Sequence, residues 1–490
     1  MDAPARTRRL TDDLPGLGGR IRAVPEDFVV EEVPLYAPLG DGEHVHFVLE
    51  KRGISTFEAL MWLSKAIHVS EHSIGYAGLK DAGAVTRQTM SVHRVPVERV
   101  LAVATPKLRV LSAARHPQRV RIGHLEGNRF TIRIRGADLR RLPAAREALA
   151  RIVARGMPNA YGAQRFGLKQ DGHLVGLALL RDDHREALAH LLGRPHRREG
   201  DSRVQRAREA YDEGDLEQAQ ALWPMKHRVQ KRALAALLRT DDPRAAFAAL
   251  GNRARRIYLS AWQSWVFNRC LDARLAGGSY DRLIAGDLAW QHGSGAMYRV
   301  RDVAAEAPRA ARFEASPTGP LPGYELVAPT DDAAAIERAV LSEEAVDDAA
   351  FRAPHVRVRG ARRPLRVPVA DASIAAEGAD AVLLRFTLPP GSFATVLLRE
   401  LMKNDTAVEG SGPLPPQIGR GAPSGDAFAP TPGAVAAVSA GSVADDATAG
   451  SRGAGGADAS VPPSDDGLPD DGFDLGDDPG AEGDLDDDAR

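Results

Sequence analysis

The sequence predicts an α+β protein: a β-rich body, a helical segment that interrupts it, and an acidic C-terminal tail. Three observations carry this. Segments with a two-residue hydrophobic period cluster before residue 137 and return after residue 355. Between them, from about residue 140 to about 275, apolar residues recur three and four apart, the helical period. After Glu409 the chain is mostly Gly, Ala, Pro, Ser and Asp, with Phe428 and Phe473 its only aromatics. That composition buries too little apolar surface to offset the entropy of ordering, so the tail is expected to be disordered.

In chain order, FVVEEV (Phe28–Val33) is a short strand reached through a loop that Pro25 shapes. HVHFVLE (His44–Glu50) alternates Val45, Phe47 and Leu49 against His44, His46 and Glu50, a half-buried strand. Ser55–His68 is a helix opened by a capping box of Ser55 and Glu58, with Phe57, Leu60, Leu63 and Ile67 at helical spacing. Tyr76–Val92 is a glycine-rich loop feeding an alternating run. RFTIRIRG (Arg129–Gly136) is the cleanest strand, with Phe130, Ile132 and Ile134 on one face and Arg129, Thr131, Arg133 and Arg135 on the other. That outer face is either solvated or turned toward phosphates. Ala- and Arg-rich helices follow, then a strand at HVRVRG (His355–Gly360). Val382–Lys403 reads as strand, Pro-Pro-Gly turn, and helix N-capped by Ser392.

Composition excludes several classes. The single cysteine, Cys270, rules out a disulfide framework and a Cys-based zinc site. No apolar run approaches the ~18 residues of a membrane span. The N-terminal MDAPARTRRLTDDLPG lacks the apolar core of a secretory signal, so a soluble cytoplasmic protein is expected. Phosphate-loop, dinucleotide, zinc-protease and nucleophile-elbow motifs are missing. His68 and His72 are four apart but have no third ligand in view, so no metal is expected. Charge is split: residues 411–490 hold 16 of 66 acidic but 3 of 64 basic residues, a net of −13 that leaves +11 on residues 1–410. A basic body points to a polyanionic partner such as nucleic acid.

The residues that can carry chemistry sit in five segments. Asp81 lies beside Lys80 on the glycine-bounded loop YAGLKDAGAVTRQ; it is either a turn residue bonding its own backbone or an ionised carboxylate poised as nucleophile or base. Asn128 and Phe130 open a strand, and Arg22, Glu26, Asp27 and Phe28 surround Pro25. GMPNAYGAQRFG (Gly156–Gly167) contributes Arg165, and PPGSFATVLLRE contributes Phe393. A hydrolase pairing Asp81 with Glu26 or Asp27 is a further possibility on residue type alone.

Together these segments resemble the TruD family of tRNA pseudouridine synthases. The family's loop, G-x-K-D-x-x-A-x-T-x-Q, is matched by Gly78, Lys80, Asp81, Ala84, Thr86 and Gln88. PEDFxVxE is Pro25–Glu32, GNxF is Gly127–Phe130, GAQRFG is Gly162–Gly167, and PxGSFAT is Pro389–Thr395. Where the family tends to read P-N-Y-F-G, this chain has Ala160 and Tyr161 and loses one aromatic.

The resemblance implies a catalytic domain with a mixed, mostly antiparallel sheet at 16–157 and 366–408. It implies an inserted, helix-rich α/β domain at 158–365, with a flexible N-terminus (1–15) and the tail (409–490) outside them. It implies isomerisation of uridine to pseudouridine, uridine 13 of the tRNA D arm being the family's usual target, with no cofactor and a monomeric chain. Asp81 would be catalytic. Arg22, where Lys is expected in the family, would pair with it. Phe28, Lys80, Asn128, Phe130 and Phe393 would bind substrate, with Phe130 stacked on a flipped base. Arg129, Arg133, Arg135 and Arg165 are candidates for the RNA backbone. A non-catalytic RNA-binding module on the same fold is the alternative.

Overall fold

The computed structural model describes residues 7–196, 199–353 and 356–405; the expected tail, 409–490, lies outside them. The strands are β1 (Gly18–Arg20), β2 (Phe28–Pro34), β3 (His44–Arg52), β4 (Gly75–Tyr76), β5 (Val85–His93), β6 (Leu108–His116), β7 (Leu125–Ala137), β8 (Met157–Pro158), β9 (Leu288–Gln291), β10 (Met297–Arg299), β11 (Ala315–Leu321), β12 (Ala361–Pro364), β13 (Arg366–Val367), β14 (Ala370–Glu377) and β15 (Ala381–Leu388). Nine of them form one sheet in the order β14-β15-β7-β2-β5-β3-β6, with β1 on β7 and β4 on β5. Only β2–β5 is parallel; every other pair is antiparallel. The sheet is thus mixed and mostly antiparallel, as expected.

Its spine is β7. Phe130, Ile132 and Ile134 pack into a core with Leu149 and Ile152 of the helix Leu142–Arg155 and Leu397, Leu398 and Leu401 of a C-terminal helix (Ala394–Met402). At the other end of the sheet, α1 (Thr56–Ile67) covers Val45, Phe47 and Leu49 with Leu60, Leu63 and Ile67. Its capping box forms: the Ser55 hydroxyl accepts from the Glu58 amide at 3.1 Å, and the Glu58 carboxylate accepts from the Ser55 amide at 2.7 Å. Such a cap contributes about 1 kcal/mol. Phe57, expected on the buried face, is exposed, and Ala59 and Ser64 take its place. His46 and Glu50, expected to face solvent, are buried. His68 ends α1 and His72 lies on a separate turn, so the two do not share a helix face.

Helices between 172 and 276 build a second core around Trp223, Phe247 and Trp262. A four-stranded sheet, β10-β9-β11-β12, accompanies them. The chain leaves and re-enters the first core side by side: β8 pairs with β13 through Pro158↔Arg366 and Met157↔Val367.

Three expectations are corrected. The described part of HVRVRG, residues 356–360, is not a strand: Val356 packs into the helical core, Arg359 makes an isolated bridge to Tyr324, and the strand begins at Ala361. Phe393, not Ser392, is the N-cap of the last helix. Residues 7–15 of the N-terminus expected to be flexible are docked instead. The Leu10 and Thr11 amides donate to the Glu400 carboxylate at 2.8 and 3.1 Å, and Arg9 pairs with Asp405 at 2.7 Å.

Candidate active site

Asp81 stands on the loop between β4 and β5, and its carboxylate is divided between two tasks. Oδ1 accepts from the Gly83 amide at 2.9 Å, an Asx turn that fixes the loop. Oδ2 pairs with the guanidinium of Arg22. The turn reading of Asp81 therefore holds, and its second oxygen is ion-paired rather than spent on the backbone. The side chain stays 32% exposed and open to a ligand. The Arg22 guanidinium carbon lies 4.2 Å from the centroid of Phe28, a cation–π contact. Phe28 meets Phe130 edge to face at 6.2 Å. The register explains the grouping: Val30 of β2 lies opposite Phe130, and Glu32 opposite Asn128.

Two buried lysines hold the loop from within. The Lys80 ammonium pairs with Glu32 at 2.9 Å and donates to Asn128 Oδ1 at 2.8 Å. It is thus turned inward, away from any phosphate, and Asn128 acts first as an anchor of the loop. The Lys51 ammonium donates to the carbonyls of Ile54 (2.8 Å), Lys80 (3.2 Å) and Asp81 (2.8 Å). Burial pulls the Lys51 pKa down to about 8, partly offset by the nearby Asp81 carboxylate. Gln88 Nε2 holds the start of the loop through the Gly78 carbonyl at 3.2 Å.

Phe130 is only 7% exposed, and Phe386 stacks on it at 5.1 Å. One face of the Phe130 ring is thus taken by Phe386. Phe393 packs against the same core, and its ring clusters with Tyr161, 5.8 Å away. Arg363 organises that cluster. Its guanidinium sits 4.3 Å from the Tyr161 centroid and donates to Asn159 Oδ1 at 2.7 Å and to the Gly391 carbonyl at 2.6 Å.

The arginine face of β7 resolves residue by residue. Arg135 grips Asp27 bidentately at 2.8 and 2.7 Å. Arg133 pairs with Glu377 and reaches Asp27 at 3.4 Å. These two neutralise buried and half-buried carboxylates, a structural role that accounts for both. Arg129 is exposed. Arg165 is half-buried, donates to Ser264 at 3.1 Å and lies over Tyr161. Asp27 is fully buried in its arginine pair and Glu26 pairs with Arg52, so neither assists Asp81 as the second carboxylate of a hydrolase. Among the described residues no group of three metal-ligating side chains forms, and no helix is long and apolar enough to cross a membrane.

Sequence reasoning missed Lys51, Glu32 and Arg363. Lys51 carried a signal: it continues the inward alternation Val45, Phe47, Leu49 of β3, where an apolar residue is due.

Comparisons with known proteins converge. The family model described as tRNA pseudouridine synthase D (TruD) matches residues 6–401. The tRNA pseudouridine synthase D of Geobacter metallireducens is 47% identical over 398 residues, covering 81% of this chain and 98% of the relative. That of Geobacter sulfurreducens is 46% identical over 399 residues, with 81% and 97% covered. The crystal structure of a putative tRNA pseudouridine synthase D from Methanosarcina mazei matches with a TM-score of 0.72 at 26% identity, covering 83% of this chain and 100% of that one.

Proposed function

The chain belongs to the tRNA pseudouridine synthase D (TruD) family, and on that premise we propose that it isomerises uridine 13 in the D arm of tRNA, with Asp81 as the catalytic carboxylate. The reaction breaks the N1–C1′ bond of a uridine, turns the base and forms a C5–C1′ bond. The C5 proton is lost and N1 gains one, so substrate and product have the same composition and nothing is oxidised or reduced.

The observation that carries the reading is the state of Asp81: one oxygen spent on the turn, the other ion-paired with Arg22, on a loop clamped by two buried lysines. Arg22 sets a positive charge against the carboxylate on which both routes depend, attack at ribose C1′ or removal of the C2′ proton. Flipping the base costs a few kcal/mol, offset by stacking and backbone contacts. The Arg22–Phe28 stack and the edge of Phe130 wall the side of the site that would receive the uracil, and Arg129 and Arg165 are the arginines left to meet phosphates.

We assign the catalytic domain to 16–157 and 366–408, and the insert to 158–365. The β8–β13 pair at that junction and the separate second core support the division. A tRNA substrate supports a cytoplasmic location.

Purified wild type and Asp81→Asn, incubated with a defined tRNA transcript and mapped for pseudouridine, test this. Wild type should modify position 13, and the variant should bind the transcript without forming product. Equal product from both removes Asp81 from the mechanism; product at another position removes the assignment to uridine 13.

A further inference from the structure

We infer that Lys51 is a positioning residue for the reaction: its buried ammonium fixes the backbone on which the Asp81 carboxylate is presented. The inference rests on the assignment of Asp81 above. Lys51 is 0% exposed, so its charge has been taken wholly out of water. Its three N–H donors meet three acceptors, the carbonyls of Ile54, Lys80 and Asp81, and none of the three is a carboxylate. Burying a cation without a counter-ion in contact costs several kcal/mol, and an apolar side chain of similar length would serve packing better. What the lysine supplies is directional. Two of its three bonds go to the peptide groups of Lys80 and Asp81, one residue pair on a loop also held by Gln88, which donates to the Gly78 carbonyl, and by Thr56, whose hydroxyl accepts from the Lys80 amide at 3.0 Å. The remaining bond ties the same ammonium to the turn between β3 and α1. Rigid strand and helix are thereby wired to the catalytic loop through one atom.

The charged groups acting on this ammonium are Asp81 and Lys80 on the loop and Glu58 on α1. Asp81 and Glu58 favour the protonated form, and Lys80 and burial oppose it. Loss of the third proton removes one of the three bonds, so loop order and rate should fall together as the pH passes about 8.

The test uses the full chain, a tRNA transcript and single-turnover rates with enzyme in excess. Three variants are compared: Lys51→Met, Lys51→Gln, and Leu234→Ala in the insert's core as a control for general loss of stability. Both Lys51 variants should lose about 10–100-fold in rate, since small misplacement of a reacting group has that effect. Their Kd for the transcript should stay within about threefold of wild type, and Leu234→Ala should keep the wild-type rate while folded. A Lys51→Met rate equal to wild type, or a loss confined to Kd, overturns the inference. If neither Lys51 variant folds, the wild-type profile decides. A rate that falls above pH about 8 at constant Kd supports it, and a rate flat from about pH 7 to 9 overturns it. Wild type that forms no pseudouridine fails earlier, at the assignment of Asp81 itself.

Discussion

Arg22 has a φ of 57°, in the left-handed region that side chains other than glycine rarely occupy. That conformation costs on the order of 1 kcal/mol and persists where the surroundings hold it. Here its guanidinium bridges the Asp81 carboxylate and the face of Phe28. A lysine keeps the charge but loses the planar fork that stacks on the ring. Arg22→Lys should therefore retain activity within about tenfold, whereas Arg22→Met should lose at least about 100-fold in single-turnover rate. Equal loss in both would mean that stacking, not charge, is what matters. Lys51 gives a second test at this scale, with a definite sign. Its folded pKa of about 8 lies below the 10.5 of a free lysine side chain. Between these values the unfolded chain binds more protons, so this residue's contribution to stability rises with pH across the window. Thermal unfolding of wild type minus that of Lys51→Met should show the gain from about pH 8 to 10.5, while the catalytic rate moves the opposite way. Asp81 and Lys80 stood out because the loop that carries them matches one of five motifs in order; the loop's composition alone left a turn residue open. Lys51 was marked only by its place in the inward alternation of β3; its three partners are backbone carbonyls, which no sequence pattern identifies.

At the scale of elements, β7 shows what period-two patterning gives and withholds. It located the strand and its buried Phe130–Ile132–Ile134 face, but not the partners of the opposite face. Arg133 and Arg135 find Asp27 and Glu377 only through the register that sets β7 beside β2 and β15, and β15 beside β14. Burial alone would raise the Asp27 carboxyl, yet Arg135 and Arg133 more than offset it and hold it below the ordinary range. Glu50 behaves alike, with Arg109 and Arg87 as its partners. Both contribute stability that is complete at neutral pH and lost as the pH falls below about 4 through their depressed values. Asp27→Ala leaves two arginines without their shared carboxylate and should cost about 2–3 kcal/mol, less than a fully buried pair because both arginines reach solvent. Denaturant unfolding at pH 7 measures it. The same reasoning separates the arginines on RNA. Arg129→Ala should lower the salt slope of tRNA binding by about 0.7–0.9, and Arg133→Ala should lower stability with little change in slope. Elsewhere the pattern failed for physical reasons. β11 is central in its sheet although it reads Ala-Ser-Pro-Thr-Gly-Pro-Leu, because Pro317 and Pro320 are accommodated in a short, fully packed strand. In HVRVRG the valines alternate as in a strand, but Val356 packs onto helices.

At the scale of the whole molecule, the charge split sets the last expectation. The family match ends at residue 401 and the described residues at 405, so the net −13 of residues 411–490 lies beyond everything placed at the site. The Geobacter metallireducens relative is matched over 98% of its length by 81% of this chain, so a protein of that family needs no such extension to span the same fold. The last helix is closed off by contacts within the body: Glu400 holds Leu10 and Thr11, Lys403 donates to the Thr11 carbonyl at 2.6 Å, and Arg399 reaches Asp405 at 3.2 Å. A chain ending at Glu409 should therefore fold with an unchanged Tm and isomerise tRNA at the wild-type rate. It would carry a net charge of +11 instead of −2. If the acidic segment only keeps the protein soluble, tRNA affinity at about 0.15 M salt should match wild type, where the Debye length of ~8 Å screens distant charge. A several-fold tighter Kd for the shortened chain at about 0.01 M salt, fading as salt is added, would show instead that the polyanion competes with RNA for the basic body.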